Sequence, residues 1–448
     1  MNTIRHLIRH LARIGILAIV ATTVAFAQEK SDSNSDKEQI RQLQERVLEL
    51  EKKLSAISTP VSGFAAADSI SASIQTGLFN GGPASMLQPV LQQQQSPAGL
   101  RQSTSQGMNP NISVIGTFMG TRDGFSEAER DINIGLDEAE FAFNAVVDPY
   151  ARADFYIGAG KHSEPTILPE ALHDEEEHAH EAGAMSFELE EAYVTLLHLP
   201  LSTQLKAGKF RTKFGKLNET HPHAYNFLDM PLMYQYFFST HGFVDEGISV
   251  RWLLPNSAFF QELTLQILNG PAENFSFTRA EKNRLLYLAH LKNYFDLNDN
   301  TSLEVGLLGA TGPNDVTDYR SNIFAADVTL KWKPLQKNRY SSFEWSSEFL
   351  LSKRNEAGGE ISSVGWFSNM RYQFAKRWFL GGLAEYSEFP EIDTMNHKAY
   401  SGILQFYATE FQKFEIQGRY NDGNYFDSFF DVMLRAVFVI GAHGAHQY

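Results

Sequence analysis

The sequence predicts an all-β protein: a transmembrane antiparallel β-barrel of about 16 strands, preceded by a short coiled-coil helix. Three observations carry this reading. An export leader stands at the amino terminus. The body of the chain from Asn111 alternates apolar and polar residues in short segments. Its connections alternate between tight turns and long polar loops, as in barrels with turns at one rim and loops at the other.

The leader comes first. Arg5, His6, Arg9, His10 and Arg13 form a basic region, Ile14–Phe26 is largely apolar, and Ala25-Phe26-Ala27 fits the small-x-small cleavage rule. Residues 1–27 therefore read as a signal peptide. The apolar run is short of the ~20 residues that a spanning helix needs. No other long apolar run follows, which leaves a soluble periplasmic chain or a barrel. The absence of cysteine excludes a disulfide framework, a CxxC redox site and thiolate metal sites. The formal charge of −15 becomes about −18 once three leader arginines are removed, so nucleic acid is not an expected partner.

Residues 37–58 carry a heptad pattern. Ile40, Leu43, Val47, Leu50, Leu54 and Ile57 fall at alternating three- and four-residue steps, with Glu45, Arg46, Glu49, Lys52 and Lys53 in solvated positions. So short a helix is marginal alone. Self-association with other protomers is the expected use, and an amphipathic helix on another surface is the alternative. Residues 59–110, rich in Ser, Gly, Gln and Pro and including Gln92–Gln95, have no sustained period and read as a flexible linker.

From 111 to 448 the pattern changes to strands. Ala139, Phe141, Phe143 and Ala145 share a face opposite Glu138, Glu140 and Asn144. Phe324, Ala326, Val328, Leu330 and Trp332 alternate with Asp327, Thr329 and Lys331. The segments 343–349, 413–420 and 431–440 repeat the alternation. Tight turns are expected at 147–150, 199–201, 255–257 and 374–376. Long connections are expected at 121–133, 161–185, 213–245, 270–282, 311–321 and 390–397. The resulting even strand count returns the carboxyl terminus to the amino-terminal side.

A barrel of this size leaves an aqueous lumen. The candidate pore-lining set is Glu138, Glu140, Arg152, Asp154, Glu188, Glu190, Arg251, Lys292, Asp327, Glu344 and Arg371, in which acids predominate. An acidic wall favours cations. Cross-strand pairing that stiffens the wall is the bland alternative, and both can hold at once. The second long loop carries His173-Asp174-Glu175-Glu176-Glu177-His178-Ala179-His180, with His162 upstream. Imidazoles and carboxylates suit zinc, so His162, His173, His178 and His180 are candidate ligands for weak zinc capture; a solvated acidic loop is the alternative. No other cofactor is expected. The third long connection, 213–245, carries Tyr225, Phe227, Met230, Tyr234, Tyr236, Phe237 and Phe238. So many aromatics require cover, by folding into the pore or by packing on the rim or on a neighbouring subunit. In it, His221 and His223 are a weak metal signal.

No GxSxG elbow, Walker loop, HExxH helix or dinucleotide fingerprint is present, so catalysis is not expected. Glu190-Glu191-Ala192-Tyr193-Val194, followed by Lys206-Ala207-Gly208-Lys209-Phe210 and Phe214-Gly215, resembles the hairpin passage of the phosphate-selective porin O and P family. The chain also looks like porin-like proteins labelled zinc-regulated outer-membrane receptors. The first resemblance implies a channel of about 16 strands in the outer membrane of a Gram-negative-type bacterium. It also implies a homo-oligomer, usually trimeric, at times with a short coiled coil on the periplasmic side. Phosphate selectivity in that family depends on basic pore residues, and this chain is acidic. The expectation is therefore a lipid-embedded pore for small solutes or ions, with a zinc-linked receptor or uptake channel as the alternative.

Overall fold

Strict alternation along most segments builds sixteen strands in a computed structural model that describes residues 110–122, 124, 132–161, 185–271, 274–279, 284–316, 318–392 and 394–441. The leader, the heptads, the linker, the His/acid loop and the last residues lie outside that set. The first eight strands are β1 (Asn111–Arg122), β2 (Ile132–Asp148), β3 (Ala151–Lys161), β4 (Met185–Leu199), β5 (Thr203–Arg211), β6 (Val244–Leu253), β7 (Phe260–Leu268) and β8 (Leu286–Asn298). The second eight are β9 (Thr301–Pro313), β10 (Arg320–Trp332), β11 (Ser342–Glu356), β12 (Gly359–Ala375), β13 (Trp378–Glu388), β14 (Asn396–Thr409), β15 (Gln412–Gly423) and β16 (Phe429–Gly441). Each pairs antiparallel with its sequence neighbours. Pairing of β1 with β16, from Ser113 opposite Gly441 to Arg122 opposite Val432, closes the barrel and removes every free edge.

The outer face is apolar and exposed. Ile134 (80%) and Phe187 (75%) are accessible, and Leu307, Phe324, Phe349, Met370 and Leu434 repeat the pattern around the wall. Exposed aromatics gather near both rims, with Tyr150, Trp252, Tyr372 and Trp378 at one and Phe187, Tyr287, Tyr420 and Phe430 at the other. An apolar band between two aromatic girdles is a surface fitted to lipid.

The tight turns stand together at one rim, and the long connections emerge at the other. Two connections depart from this division: β10 and β11 are joined at the tight-turn rim by the longer segment 333–341, and β11 and β12 at the long-loop rim by Ala357-Gly358 alone. The inner face is not uniformly polar either. Leu308, Ile323, Leu350, Phe367, Leu383, Ile403 and Met433 point inward and are buried. What covers them is the third long connection, residues 212–243, hereafter L3.

Candidate functional site

L3 leaves the wall at a neck that the backbone ties shut. Thr212 N–H donates to Phe243 O at 2.9 Å. The Asn218 side chain bridges both sides, donating to Thr212 O (2.9 Å) and Phe243 O (2.8 Å) and accepting from Phe243 N (2.8 Å). Beyond the neck lie two 3-10 turns, Leu217–Glu219 and Pro222–Ala224, and a short helix α1 (Leu232–Phe237) whose six residues are all buried. Gly215, at φ 62°, passes the wall so closely that a Cβ would meet Glu348 Oε2 at 2.3 Å.

The loop folds into the lumen. Its side chains and backbone bond to strands on opposite sides of a closed barrel, which only an interior path permits. Phe214, Tyr234, Phe237, Phe238 and Phe243 are fully buried, in one cluster with the inward apolar residues of β9–β14 and β16. Phe214 and Phe238 meet edge to face at 4.7 Å, and Phe238 stacks on Phe243 at 4.8 Å. The sequence left the pore, the barrel rim and a neighbouring subunit open as cover for these aromatics; they occupy the pore.

Polar groups of the wall hold the loop. Glu348 Oε1 accepts from Lys216 N (3.0 Å) and Leu217 N (2.8 Å), and its Oε2 accepts from Tyr234 OH (2.6 Å). Glu385 accepts from Leu232 N, and Gln417 accepts from Leu228 N. Lys413 donates to His223 O and Tyr225 O. Arg435 donates to Pro222 O, Phe227 O and Leu228 O while pairing with Glu415 at 2.6 Å. Arg419 meets Asp229 at 2.9 Å.

The candidate pore-lining residues fall into two groups. Towards the tight-turn rim, Arg152 pairs with Asp154 (2.6 Å), Lys292 with Glu304 (3.2 Å), and Arg371 and Lys331 share Glu344. Arg251 reaches Glu262 on the wall and Glu219 of L3, which also pairs with Lys213. Burial works against a charge on Glu219, but Lys213 and Arg251 outweigh it and hold its carboxyl below the usual range. Asp327 meets His290 at 3.1 Å, and Glu188 forms a more exposed pair with Lys209. The acids of this group thus have basic partners at close range, whereas Glu348 and Glu385 are held by L3.

Glu138, Glu140 and Glu190 form the second group, with residues that the sequence reading did not assign. A β-bulge at Tyr156/Ile157 shifts the register of β4, and Glu190 and Glu191 are both buried although adjacent in sequence. His221 enters between them and β2: its Nδ1 lies 2.9 Å from Glu140 Oε2 and 3.7 Å from Glu190 Oε2, and its Nε2 lies 3.0 Å from Glu191 Oε1. Room for this comes from Gly158 on β3, where a Cβ would meet Glu190 Oε1 at 2.2 Å. His162, His173, His178 and His180 lie outside the described residues.

This group should respond to pH. Burial disfavours a charged His221, but the carboxylates of Glu140 and Glu191 outweigh it and push its pKa up to about 10. The raised value means that the ion pairing stabilises the seated loop fully below about 6.5 and is lost as pH rises through about 10. The groups facing His221 are Glu140 from β2, Tyr156 from β3, Glu190 and Glu191 from β4, Arg211 from β5, and His223. Channel-current noise should therefore increase over that interval, and a His221→Gln variant should flatten the rise.

A closed sixteen-strand barrel with a lipid-facing belt and an inward-folded third loop defines a membrane barrel of porin architecture. A solved structure at the 0.50 level agrees on the fold. OprB of Pseudomonas putida superposes with a TM-score of 0.50 at 8% identity, covering 75% of this chain and 95% of that one. The outer membrane channel DcaP of Acinetobacter baumannii gives 0.49 at 11% identity, over 76% and 99%. By sequence, an uncharacterized protein of Aquifex aeolicus (strain VF5) is 29% identical over 300 residues, which is 58% of this chain and 63% of that protein. The chain therefore matches less than two-thirds of that relative's length. No family model matches.

Proposed function

We propose that the protein is an outer-membrane channel of the porin class, passing small solutes or ions by diffusion, with L3 setting when and how widely the lumen opens. The observation that carries this reading is L3 itself: a loop fastened to the inside of a barrel wide enough to conduct, by polar side chains that face the lumen. A protein needing only a membrane anchor has no use for a wide lumen that its own loop must then fill.

The leader supports export, and the apolar belt supports insertion in lipid with the tight turns on the periplasmic side. The heptads support a homo-oligomer, for which the porin resemblance favours a trimer. Because the wall acids sit beside bases, cation preference should be weak in the seated state despite the net charge of −15. Planar-bilayer recording of the purified mature protein tests the reading, with reversal potential measured in a salt gradient. Small stepwise currents are expected. Silent membranes from protein of verified fold, under all voltages and with L3 shortened, would remove it.

A further inference from the structure

We propose that Glu140, Glu190 and His221 form a binding site for a divalent transition cation, which pins L3 to the wall at β2 and β4. Their three ligand atoms, two carboxylate oxygens and His221 Nδ1, lie within 4.8 Å of one another, the one such grouping among the described residues. One imidazole nitrogen with two carboxylate oxygens suits Zn²⁺ and its first-row neighbours.

A second observation points to a ligand. Glu140 and Glu190 are only 2% and 8% exposed, yet no donor reaches Glu140 Oε2 or Glu190 Oε2 in full hydrogen-bond geometry: His221 Nδ1 stands 2.9 Å from the first and 3.7 Å from the second, and Arg211 is 3.8 Å from the second. Buried acceptors in this condition are costly, and these converge on one point. Two ligands of a tetrahedral Zn²⁺ stand roughly 3.3–3.6 Å apart, given bonds of about 2.0–2.2 Å. The 3.7 Å separation of His221 Nδ1 from Glu190 Oε2 fits, and the 2.9 Å approach of Glu140 must open by a few tenths of an ångström.

The surroundings agree. Glu191 on Nε2 fixes the ring so that Nδ1 faces the carboxylates, the arrangement by which carboxylates orient metal-bound histidines. Glu138 adjoins Glu190, so four glutamates crowd a space where Arg211 is the nearest fixed cation. A protonated His221 leaves that space negative, and a divalent ion in its place supplies more charge and releases a proton.

The test is metal binding by the folded full-length mature protein, read independently of conductance. Histidines 162, 173, 178 and 180 are first changed to alanine, so that the 162–180 segment contributes no imidazole ligand. Co²⁺ is then titrated while its visible absorption is followed, and Zn²⁺ is used to displace it. One equivalent per chain is expected. Glu140→Gln and His221→Ala should each weaken Zn²⁺ binding at least about 100-fold, and Glu191→Gln about 10- to 100-fold. Heat-modifiable electrophoretic mobility verifies each barrel; if Glu140→Gln fails to fold, Glu190→Gln replaces it. No Co²⁺ uptake by the folded protein would overturn the site, leaving an imidazolium paired with Glu140. Undiminished uptake in the folded variants would overturn it equally. A barrel that binds the metal but never conducts would defeat the channel reading and leave the site standing.

Discussion

Excision of Thr220–Ser239, with a short glycine-serine bridge in its place, is expected to raise the unitary conductance by about tenfold or more, since sixteen-strand walls enclose an aqueous channel once nothing fills them. The hydrogen-bonded ladder from β1 through β16 is complete without L3, so the barrel should still close. The neck survives because Thr212, Asn218 and Phe243 lie outside the excised segment. The cost falls on the lining: Leu308, Ile323, Leu350, Phe367, Leu383, Ile403 and Met433 lose their aromatic cover. That penalty, about 25 cal/mol per Å² of apolar surface returned to water, lowers stability without offering the strands another partner. Glu385 and Lys413, relieved of the loop, and Glu348, which loses Tyr234 but keeps Lys216 N and Leu217 N, would become the groups that ions meet. Bilayer recording of the variant beside the parent is decisive. Equal conductance would mean that L3 does not control the passage.

The outer half of this architecture was legible in the sequence, and the physics explains why. Lipid accepts only apolar residues, so the exposed faces of β10, β11, β15 and β16 must alternate with period two, and the tight turns must carry turn residues. The lumen imposes no such uniformity. Where L3 packs, the inner face is apolar, as at Ile323 and Leu350; where its backbone needs partners, the face is polar, as at Glu348 and Gln417. Both patterns look like interruptions until the loop's path is known. The aromatics of L3 announced that they needed cover, but not which surface supplied it.

The charged residues were readable as a set and unreadable as partners. Acids alternating along strands suggested an acidic wall, while pairs such as Lys292 with Glu304 depend on strand register, and Arg435 with L3 carbonyls depends on a contact across the lumen. The bulge in β4 hid the Glu190–Glu191 pair most completely. Strict alternation would send one of them out to lipid, and a one-residue irregularity is what buries both. The passage from Glu190 to Gly215 that carries the family resemblance spans both this bulge and the entry to L3.

Replacing Arg435 with Met should loosen L3 more than any other single change in the wall. Its guanidinium is buried at 3% exposure, satisfies three loop carbonyls, and offsets Glu415, whose other partners are Lys413 at 3.2 Å and the neutral Gln405 amide at 2.6 Å. Removing one partner of a buried charge pair costs about 3–5 kcal/mol, because the remaining groups stay desolvated. The strand ladder does not depend on this side chain, so most of the loss should fall on loop seating rather than on the barrel. At 1.4 kcal/mol per factor of ten, the unseated population should rise about 100- to 4,000-fold. Amide hydrogen exchange read by mass spectrometry should show protection lost at Leu228 N and along α1 while β15 and β16 keep theirs. In bilayers the same variant should flicker between the small parental level and a larger one. Arg435→Lys should fall between the two, since one ammonium cannot reach all three carbonyls and Glu415 together. Unchanged exchange in L3 would show that the aromatic core holds the loop without its polar fastenings. Lost protection throughout β15 and β16 would show that loop and wall unfold as one unit.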